Sequence, residues 1–531
     1  MNCTPDRLPY NKTGYFSKII TDYLQRHPDI VPFYNHPADM AGIKAAIEER
    51  KNFKNHRRVL VSVLEEQYAG LSTTDAVKQN IRLLADDNTF TITTAHQPVI
   101  FTGTLFFIYK ILHIIKLAAS FKSQLPQYNF VPVFYMGSED ADLEELGSIW
   151  MNSEKIVWDT TQTGAVGRMK TTGLEKIIVR LEGELAVQPH GRELVQLLKD
   201  CYLDSPDIQT ATFKLIDALF ARYGLVVLIP DNARLKALML PVFEDDVFNG
   251  TPSGIAAQSI EALSAHYKVQ ANPRAINLFY LTENTRERIE KEGGDWVVPA
   301  KNIRFSKEEL LHEMHAHPER FSPNVILRGI FQETVLPNIV FVGGGGELAY
   351  WLELKDIFVH YKVPYPVLVL RNSFLIVEKK WQDKIKRLGF CVDDFFKPAS
   401  ELLTELVNRN NNGTLQLETE LENVKNFYAQ LKIKAGNIDA TLERHIEALQ
   451  AKASRPLHEL EKKMLRAEKR KYSDQSGQIH AVHSALFPLN GLQERVENFM
   501  PWYARLGSRF IEMLYEHSLT LEQEFLILHE K

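Results

Sequence analysis

Cysteine is scarce: Cys3, Cys201 and Cys391 are the three in 531 residues, far apart and with no CxxC spacing. They argue against a disulfide framework and a structural zinc site, and for a reducing compartment. No apolar run is long enough to span a bilayer, and no charged-then-apolar segment opens the chain. A membrane is therefore not an expected partner, and the cytoplasm is the expected location. Excess charge of either sign is also missing: 62 basic against 67 acidic residues leave a net −5, so a nucleic-acid partner is not expected. No Ser-His-Asp or Cys-His spacing stands out, which disfavours covalent hydrolase chemistry. What remains, 45% hydrophobic and 24% charged, is ample core material for two to four soluble globular units.

Residues 1–88 read as helix and polar loop packing on a core, with Thr73 or Thr74 capping a helix. At Thr89 the chain turns β-branched (TFTITT), then runs through Ala95-His96-Gln97-Pro98 into a helical stretch from Leu105 to Ala119. A second strand, Phe130 to Met136, follows, and leads into an acidic loop. Strand, helix, strand in this span predicts a βαβ unit and a parallel sheet, with ligands beyond the carboxyl ends of the strands. The fold class expected is α/β: a Rossmann-like core in three parts (89–149, 211–240 and 321–390) with connecting insertions at 150–210 and 241–320. Residues 391–531 read as a helical coiled-coil domain with C-terminal helices. There, apolar residues from Leu417 through Ile438 and Leu442 to Leu449 alternate by four and three, a heptad seam. Gly436-Asn437 leaves a bend or hairpin open, beside a parallel or antiparallel dimer.

The chain is organised around residues 322–351, SPNVILRGIFQETVLPNIVFVGGGGELAYW. An apolar run ends on Arg328, a β-branched run follows, and then come Gly343, Gly344, Gly345 and Gly346 with Glu347 heading a helix. Glycines let a backbone approach a ligand, and a helix start offers free N–H donors to phosphate; a tight turn needing positive φ is the plainer alternative. Gln97, Thr102 and Gly103 sit where another strand hands over to a helix, and His96 invites comparison with the histidine of HIGH-type nucleotidyltransferases. Glu139, Asp140, Asp142, Glu144 and Glu145 crowd one strand end. They could hold magnesium or receive an amine, or form an acidic first turn behind a Ser138 cap. Asp231 is a further candidate for a ribose or amine contact. Arg328 and Arg371, the latter beside Ser373, end buried-looking runs and would face carboxylates or an anionic ligand. Asn324, Gln332, Glu347 and Tyr350 could complete a polar pocket.

The pattern SPNV-LR--Q-T-LP----VGG-GE-AYW resembles the bacillithiol biosynthesis cysteine-adding enzymes, the BshC family. Thr94, Gln97, Thr102 and Gly103, VPVFYMGSEDADLEE, Asn277-Leu278-Phe279 with Arg286, and LFPLNGLQER are similar to further motifs of that family. The resemblance runs from about residue 90 to the end. Two positions depart from it: family members often carry Gly-Gln-Gln at Ala95-His96-Gln97, and a His at Ala141. The resemblance implies a HIGH-type nucleotidyltransferase-like core, inserted connecting subdomains and a coiled coil that mediates a homodimer. It implies a ligase that attaches L-cysteine, by an amide bond, to the amino group of glucosaminyl malate. ATP is the expected co-substrate, with AMP or ADP as product, and magnesium a candidate cofactor; no zinc is expected. On this reading Gln97, Asp140, Asp142, Arg328 and Glu347 are the candidate catalytic residues, with Asp140 and Asp142 the candidate magnesium ligands. His96, Thr102, Gly103, the glycines 343–346, Arg371 and Ser373 would bind the nucleotide. Glu139, Asp231, Asn324, Gln332 and Tyr350 would bind substrate. Two other readings stay open: a different ATP-dependent ligase on the same core, and a nucleotide-sensing scaffold that dimerises through its coiled coil.

Overall fold

Thr89–His96 (β1) is β-branched enough to prefer a pleated, buried site, and in the computed structural model all of it but His96 is buried. The structure describes residues 3–152, 154–411 and 416–531. After β1 come helix Phe106–Gln124 (α1) and strands Asn129–Met136 (β2) and Val226–Leu228 (β3). Helix Val325–Val335 (α2), strand Asn338–Gly343 (β4), helix Gly345–Leu352 (α3) and strand Val367–Leu370 (β5) follow. The five strands form one sheet in the order β5-β4-β1-β2-β3, parallel throughout. Read from the other edge that is 3-2-1-4-5, the doubly wound Rossmann order without its sixth strand, and it reverses between β1 and β4, where such sheets take their ligands.

Strands buried on both faces need an acceptor for every hydroxyl they carry. Thr91 and Thr93 both donate to Asn338 Oδ1, at 3.2 and 2.8 Å, and Thr94 donates to Val342 O at 2.7 Å. Asn338 in turn donates to Glu333, whose carboxylate pairs at 2.7 Å with Arg50; neither side chain is exposed. This buried network lies at the amino end of β4, away from the ligand-binding edge.

The expected apolar run ending on Arg328 is instead the first turn of α2. Asn324 caps it, its Oδ1 accepting the Ile326 N–H at 2.8 Å. The continuous hydrophobicity of VILRGIF hides the helical period, because α2 is packed nearly all round.

Two long excursions leave the sheet. Between β2 and β3 lie a two-stranded antiparallel hairpin, Ser148–Met151 with Glu154–Val157, and a series of helices. Between β3 and α2 lies a three-stranded sheet of Leu278–Thr282, Thr285–Arg288 and Phe321–Pro323. Strands Cys3–Pro9 and Glu524–Glu530 pair antiparallel, joining the two ends of the described chain.

The chain divides into two units, Met1–Leu375 with Leu492–Lys531, and Ile376–Gly491. The second unit is helical. Its long helices Glu418–Gly436 (α4) and Leu442–Lys469 (α5) form an antiparallel hairpin, with Lys432 paired to Glu447 at 2.7 Å and Leu417 N–H reaching Glu461. The coiled coil is therefore folded on itself. The predicted seam holds along α4, where Leu421, Val424, Tyr428, Leu431 and Ala435 are half-buried, but it slips at the turn. Ile438, Leu442 and His445 are exposed, and Ile446, Leu449 and Leu457 carry the seam on α5. A reversal of chain direction need not preserve a heptad register.

Candidate active site

The loops after β1 and β4 meet at the reversal of strand order and line a cavity of about 380 Å³. That is the size of a small-metabolite site. His96 and Gln97 come from the end of β1 and its loop, Glu139 and Asp140 from the loop after β2, and Asn324 and Arg328 from the start of α2. Gly344, Gly346, Glu347 and Tyr350 come from α3 and its cap, and Arg371 from beyond β5. The remaining sequence candidates, Thr102, Gly103, Asp142, Asp231, Gln332, Gly343, Gly345 and Ser373, do not line it.

None of the four consecutive glycines has a positive φ, so the tight-turn explanation does not account for them. Close approach does. A Cβ on Gly343 would lie 2.6 Å from Leu348 and 2.8 Å from Phe341, both buried. Gly345 packs on Ile20, whereas a Cβ on Gly346 would meet nothing within 4 Å. Gly344 donates its N–H to Glu347 Oε2 at 2.8 Å. The N–H groups of Gly345, Gly346 and Glu347 fall in the first turn of α3, where no intrahelical acceptor exists, and the helix dipole adds positive potential.

Cationic side chains gather at this end. Arg328 donates to the Tyr350 hydroxyl. Arg371 lies 4.9 Å from the Phe106 ring centroid and donates to Glu494 at 2.6 Å and to Ser373 Oγ at 3.2 Å. Ser373 also donates to Glu494, so its hydroxyl belongs to this buried network. Arg495 lines the cavity, and its guanidinium has no hydrogen bond or ion pair among the described residues; burial and the neighbouring Arg371 both push it down. Lys110, fully buried on α1, donates to Ala95 O at 2.6 Å and to Glu347 Oε2 at 2.7 Å. Burial alone would raise the Glu347 carboxyl, but Lys110 and the Gly344 amide outweigh it and hold it below its usual value.

His96 is neutral. Burial, then the charge of Lys110, lowers its imidazole to about 4, and Nδ1–H donates to Gln97 O at 3.0 Å, which leaves Nε2 as the acceptor. Gln97 donates to Asp140 at 3.0 Å. Opposite lies the acidic end, where Glu139, Asp140 and Glu145 line the wall with Arg286. Arg286 sits over the Phe279 ring at 3.9 Å and donates to Ser322 Oγ at 3.1 Å. Glu139 pairs with buried Lys236; burial raises its carboxyl more than Lys236 lowers it.

The displaced candidates have physical reasons. Gln332 is eight residues into α2, about 12 Å down the helix from its cap at 1.5 Å per residue. It is buried and donates to Glu333 at 2.9 Å. Asp231 is held bidentately by Arg168, at 2.6 and 2.7 Å, and by Lys236 at 3.0 Å. Asp142 caps the short helix Leu143–Leu146, accepting the Glu145 N–H at 3.1 Å. Thr102 and Gly103 shape a loop in which Phe101, Thr102 and Gly103 all have positive φ (49, 64 and 62°). Left-handed non-glycine residues cost on the order of 1–3 kcal/mol each and persist only when held. Here Asn498 donates to the carbonyls of Phe101 and Gly103, and the Phe101 N–H donates to Tyr202 at 2.7 Å.

Asp140 lines the cavity and Asp142 does not, and among the described residues no group of three or more His, Cys, Asp or Glu side chains could cage a metal ion. The residues present do not fit a protein-built magnesium site. Nor is any described helix long and apolar enough to cross a membrane.

Sequence reasoning missed Arg286 and Arg495 as cavity-lining residues, and Lys110 as the buried partner of Glu347. Arg286 and Arg495 lay inside quoted motifs, which was their available signal. Lys110 had none, since one lysine in an apolar helix ordinarily snorkels to solvent.

Comparison with known proteins divides the chain once, near residue 373, and counts residues 492–530 with the second part although they belong to the first compact unit of the structure. Residues 1–372 match "Bacillithiol biosynthesis BshC, N-terminal Rossmann-like domain", and residues 374–530 match "Bacillithiol biosynthesis BshC, C-terminal coiled-coil domain". A Flavobacterium johnsoniae protein named "Putative cysteine ligase BshC" is 38% identical over 525 residues, 98% of this chain and 99% of the relative. Proteins of the same name from Cytophaga hutchinsonii and Chlorobaculum tepidum are 37% and 30% identical. They cover 96% and 87% of this chain, and 96% and 86% of their own lengths.

Proposed function

This chain belongs to the bacillithiol biosynthesis BshC family, and we propose that it is a ligase joining L-cysteine, through an amide bond, to the amino group of glucosaminyl malate. ATP activates the cysteine carboxylate as an acyl phosphate or acyl adenylate, releasing ADP or pyrophosphate, and the glucosamine nitrogen then attacks the acyl carbon, expelling phosphate or AMP and losing a proton. The observation that carries this reading is the polarity of the cavity. One end presents Arg328, Arg371, Arg495 and the first-turn amides of α3 to an anion; at the other, Asp140 and Glu145, beside Arg286, face an amine, with Glu139 engaged by Lys236. A reaction between a phosphorylated donor and an amine needs both ends in one cavity.

In this assignment Gly344 and Gly346 leave room for phosphate against the helix start. Arg328 and Arg371 hold phosphate or the malate carboxylates, with Arg495 as a cation whose guanidinium has no ion-pair partner among the described residues. Gln97, hydrogen-bonded to Asp140, orients that carboxylate toward the ammonium of cysteine. Asn324 and Tyr350 fix the orientation of α2 and Arg328. The homodimer belongs to the same reading: Phe427 and Ile433 on α4 and Ile438 at the hairpin tip are 58%, 67% and 84% exposed.

The test is a reconstituted assay with purified protein, L-cysteine, glucosaminyl malate and ATP, read by mass spectrometry. The expected product is the amide, formed with one nucleotide cleaved per bond and only when all three substrates are present. Equal coupling of other amino acids would replace cysteine with a broader donor class. Nucleotide binding without turnover, whatever the acceptor, would sink the ligase reading in favour of a sensor.

A further inference from the structure

The apolar helix α1 places Lys110 on its inward face with no solvent exposure. An ammonium in such a place is costly unless its donors are well paired. Two of its partners straddle the reversal of strand order: Ala95 O on β1 at 2.6 Å, and Glu347 Oε2 in the first turn of α3 at 2.7 Å. The same Oε2 takes the Gly344 N–H at 2.8 Å. Ammonium, carboxylate and glycine amide thus form a chain that ends at the cavity wall. Glu347 itself lines the cavity, and its Oε1 takes part in no hydrogen bond within the protein among the described residues.

The charged and titratable groups around Glu347 come from every neighbouring element. They are Lys110 on α1, His96 on β1, Arg328 on α2, Tyr350 on α3 itself, Arg371 beyond β5, and Arg495 on the C-terminal segment. Among the described residues, Lys110 is the side chain that touches the carboxylate.

We infer that Lys110 is a positioning residue: it holds the Glu347 carboxylate against Gly344 and so fixes the glycine-loop amides where a substrate anion docks. The inference rests on the anion end proposed above. Without Lys110 the two sides of the strand-order reversal lose their tie. Burial then acts on Glu347 unopposed by its nearest cation, so its carboxyl titrates higher. Once protonated, Glu347 is a weaker acceptor for the Gly344 amide.

The test compares full-length Lys110→Met, Glu347→Gln and the double variant, measuring KM for ATP from pH 5.5 to 8.5 with thermal melts alongside. Wild type is expected to show no inflection from Glu347 in this range. Lys110→Met is expected to show a new one, below which KM for ATP climbs by up to about tenfold per pH unit. The double variant is expected to have a raised KM and no such inflection, because no carboxyl remains to titrate. A Lys110→Met profile parallel to wild type overturns the inference, as does an inflection that persists in the double variant. Where Lys110→Met fails to fold, the double variant decides, since it leaves no lone buried charge: a wild-type KM for ATP in it overturns the inference. Failure of the ligase reading is separate. It shows as wild type that never couples cysteine, and the same variants are then titrated with ATP by calorimetry, where the pH contrast must still appear.

Discussion

Replacing Glu494 by Gln removes the charge that balances Arg371 while keeping the shape of the side chain. The two side chains are 0% and 3% exposed and 2.6 Å apart. Glu494 also accepts from Ser373 Oγ at 3.1 Å and from the Phe374 N–H at 3.2 Å, so both carboxylate oxygens are committed. An amide would turn one of these acceptors into a donor facing donors. Stranding one member of a buried pair costs about 3–5 kcal/mol. Unfolding entropy near 2.1 cal/mol/K per residue makes a unit of this size lose on the order of 1 °C per kcal/mol, so the melting point should drop by about 3–5 °C. The matched control is Glu524→Gln, which breaks the exposed pair with Arg7 at 3.2 Å and should cost roughly 0–1 kcal/mol. Differential scanning calorimetry of the three proteins reads both. If Glu494→Gln melted within 1 °C of its control, the claim that Arg371 is held by a buried charge would be refuted.

Three further outcomes are expected. Gly343→Ala forces a methyl against Leu348 and Phe341 and should lose about 1–3 kcal/mol of stability, whereas Gly346→Ala should keep the wild-type melting point and raise KM for ATP; equal melting points for the two would count against the contrast. Arg495→Met should raise KM for the anionic acceptor by about 10- to 100-fold, the worth of one charged hydrogen bond, and a neutral methyl glucosaminide assayed in parallel should show no such change. Burial raises the Asp246 carboxyl to about 7 between the two donors of Asn277, at 2.6 and 2.8 Å. In the folded protein it therefore keeps a proton that the unfolded chain releases near pH 3.9. Its contribution to stability is present at low pH and falls as pH rises from about 4 to 7, by up to about 1.4 kcal/mol per unit. Asp246→Asn removes that slope, and urea midpoints at pH 5 and pH 7.5 that moved in parallel for both proteins would contradict it.

The sheet was legible because its strands carry their burial in composition: TFTITT and NFVPVFYM could pack nowhere else. The cavity was legible in outline, since loops that follow parallel strands are fixed by topology once the strands are placed. What failed was depth within an element. Arg328 and Gln332 lie one helical turn apart on α2, yet one reaches the cavity and the other is buried beside Glu333, and the packed-all-round helix gave no period from which to tell them apart. The four glycines stood out in the sequence by their number, but none is left-handed: Gly343 is closely packed, and Gly346 faces open space. Lys110 was hidden because burial of a lysine is decided by partners from β1 and α3, which nothing in FFIYKILHIIKL announces. Arg495 reaches the cavity, and Asn498 the loop at Phe101–Gly103, only because the chain returns from its helical excursion, a long-range closure that local patterning does not encode.

The central claim is tested most directly by the small-thiol pool of a strain from which this gene is deleted, labelled and separated beside its parent. The account predicts that bacillithiol disappears and glucosaminyl malate accumulates, and that the wild-type gene restores the pool. A bacillithiol pool unchanged by the deletion would contradict it.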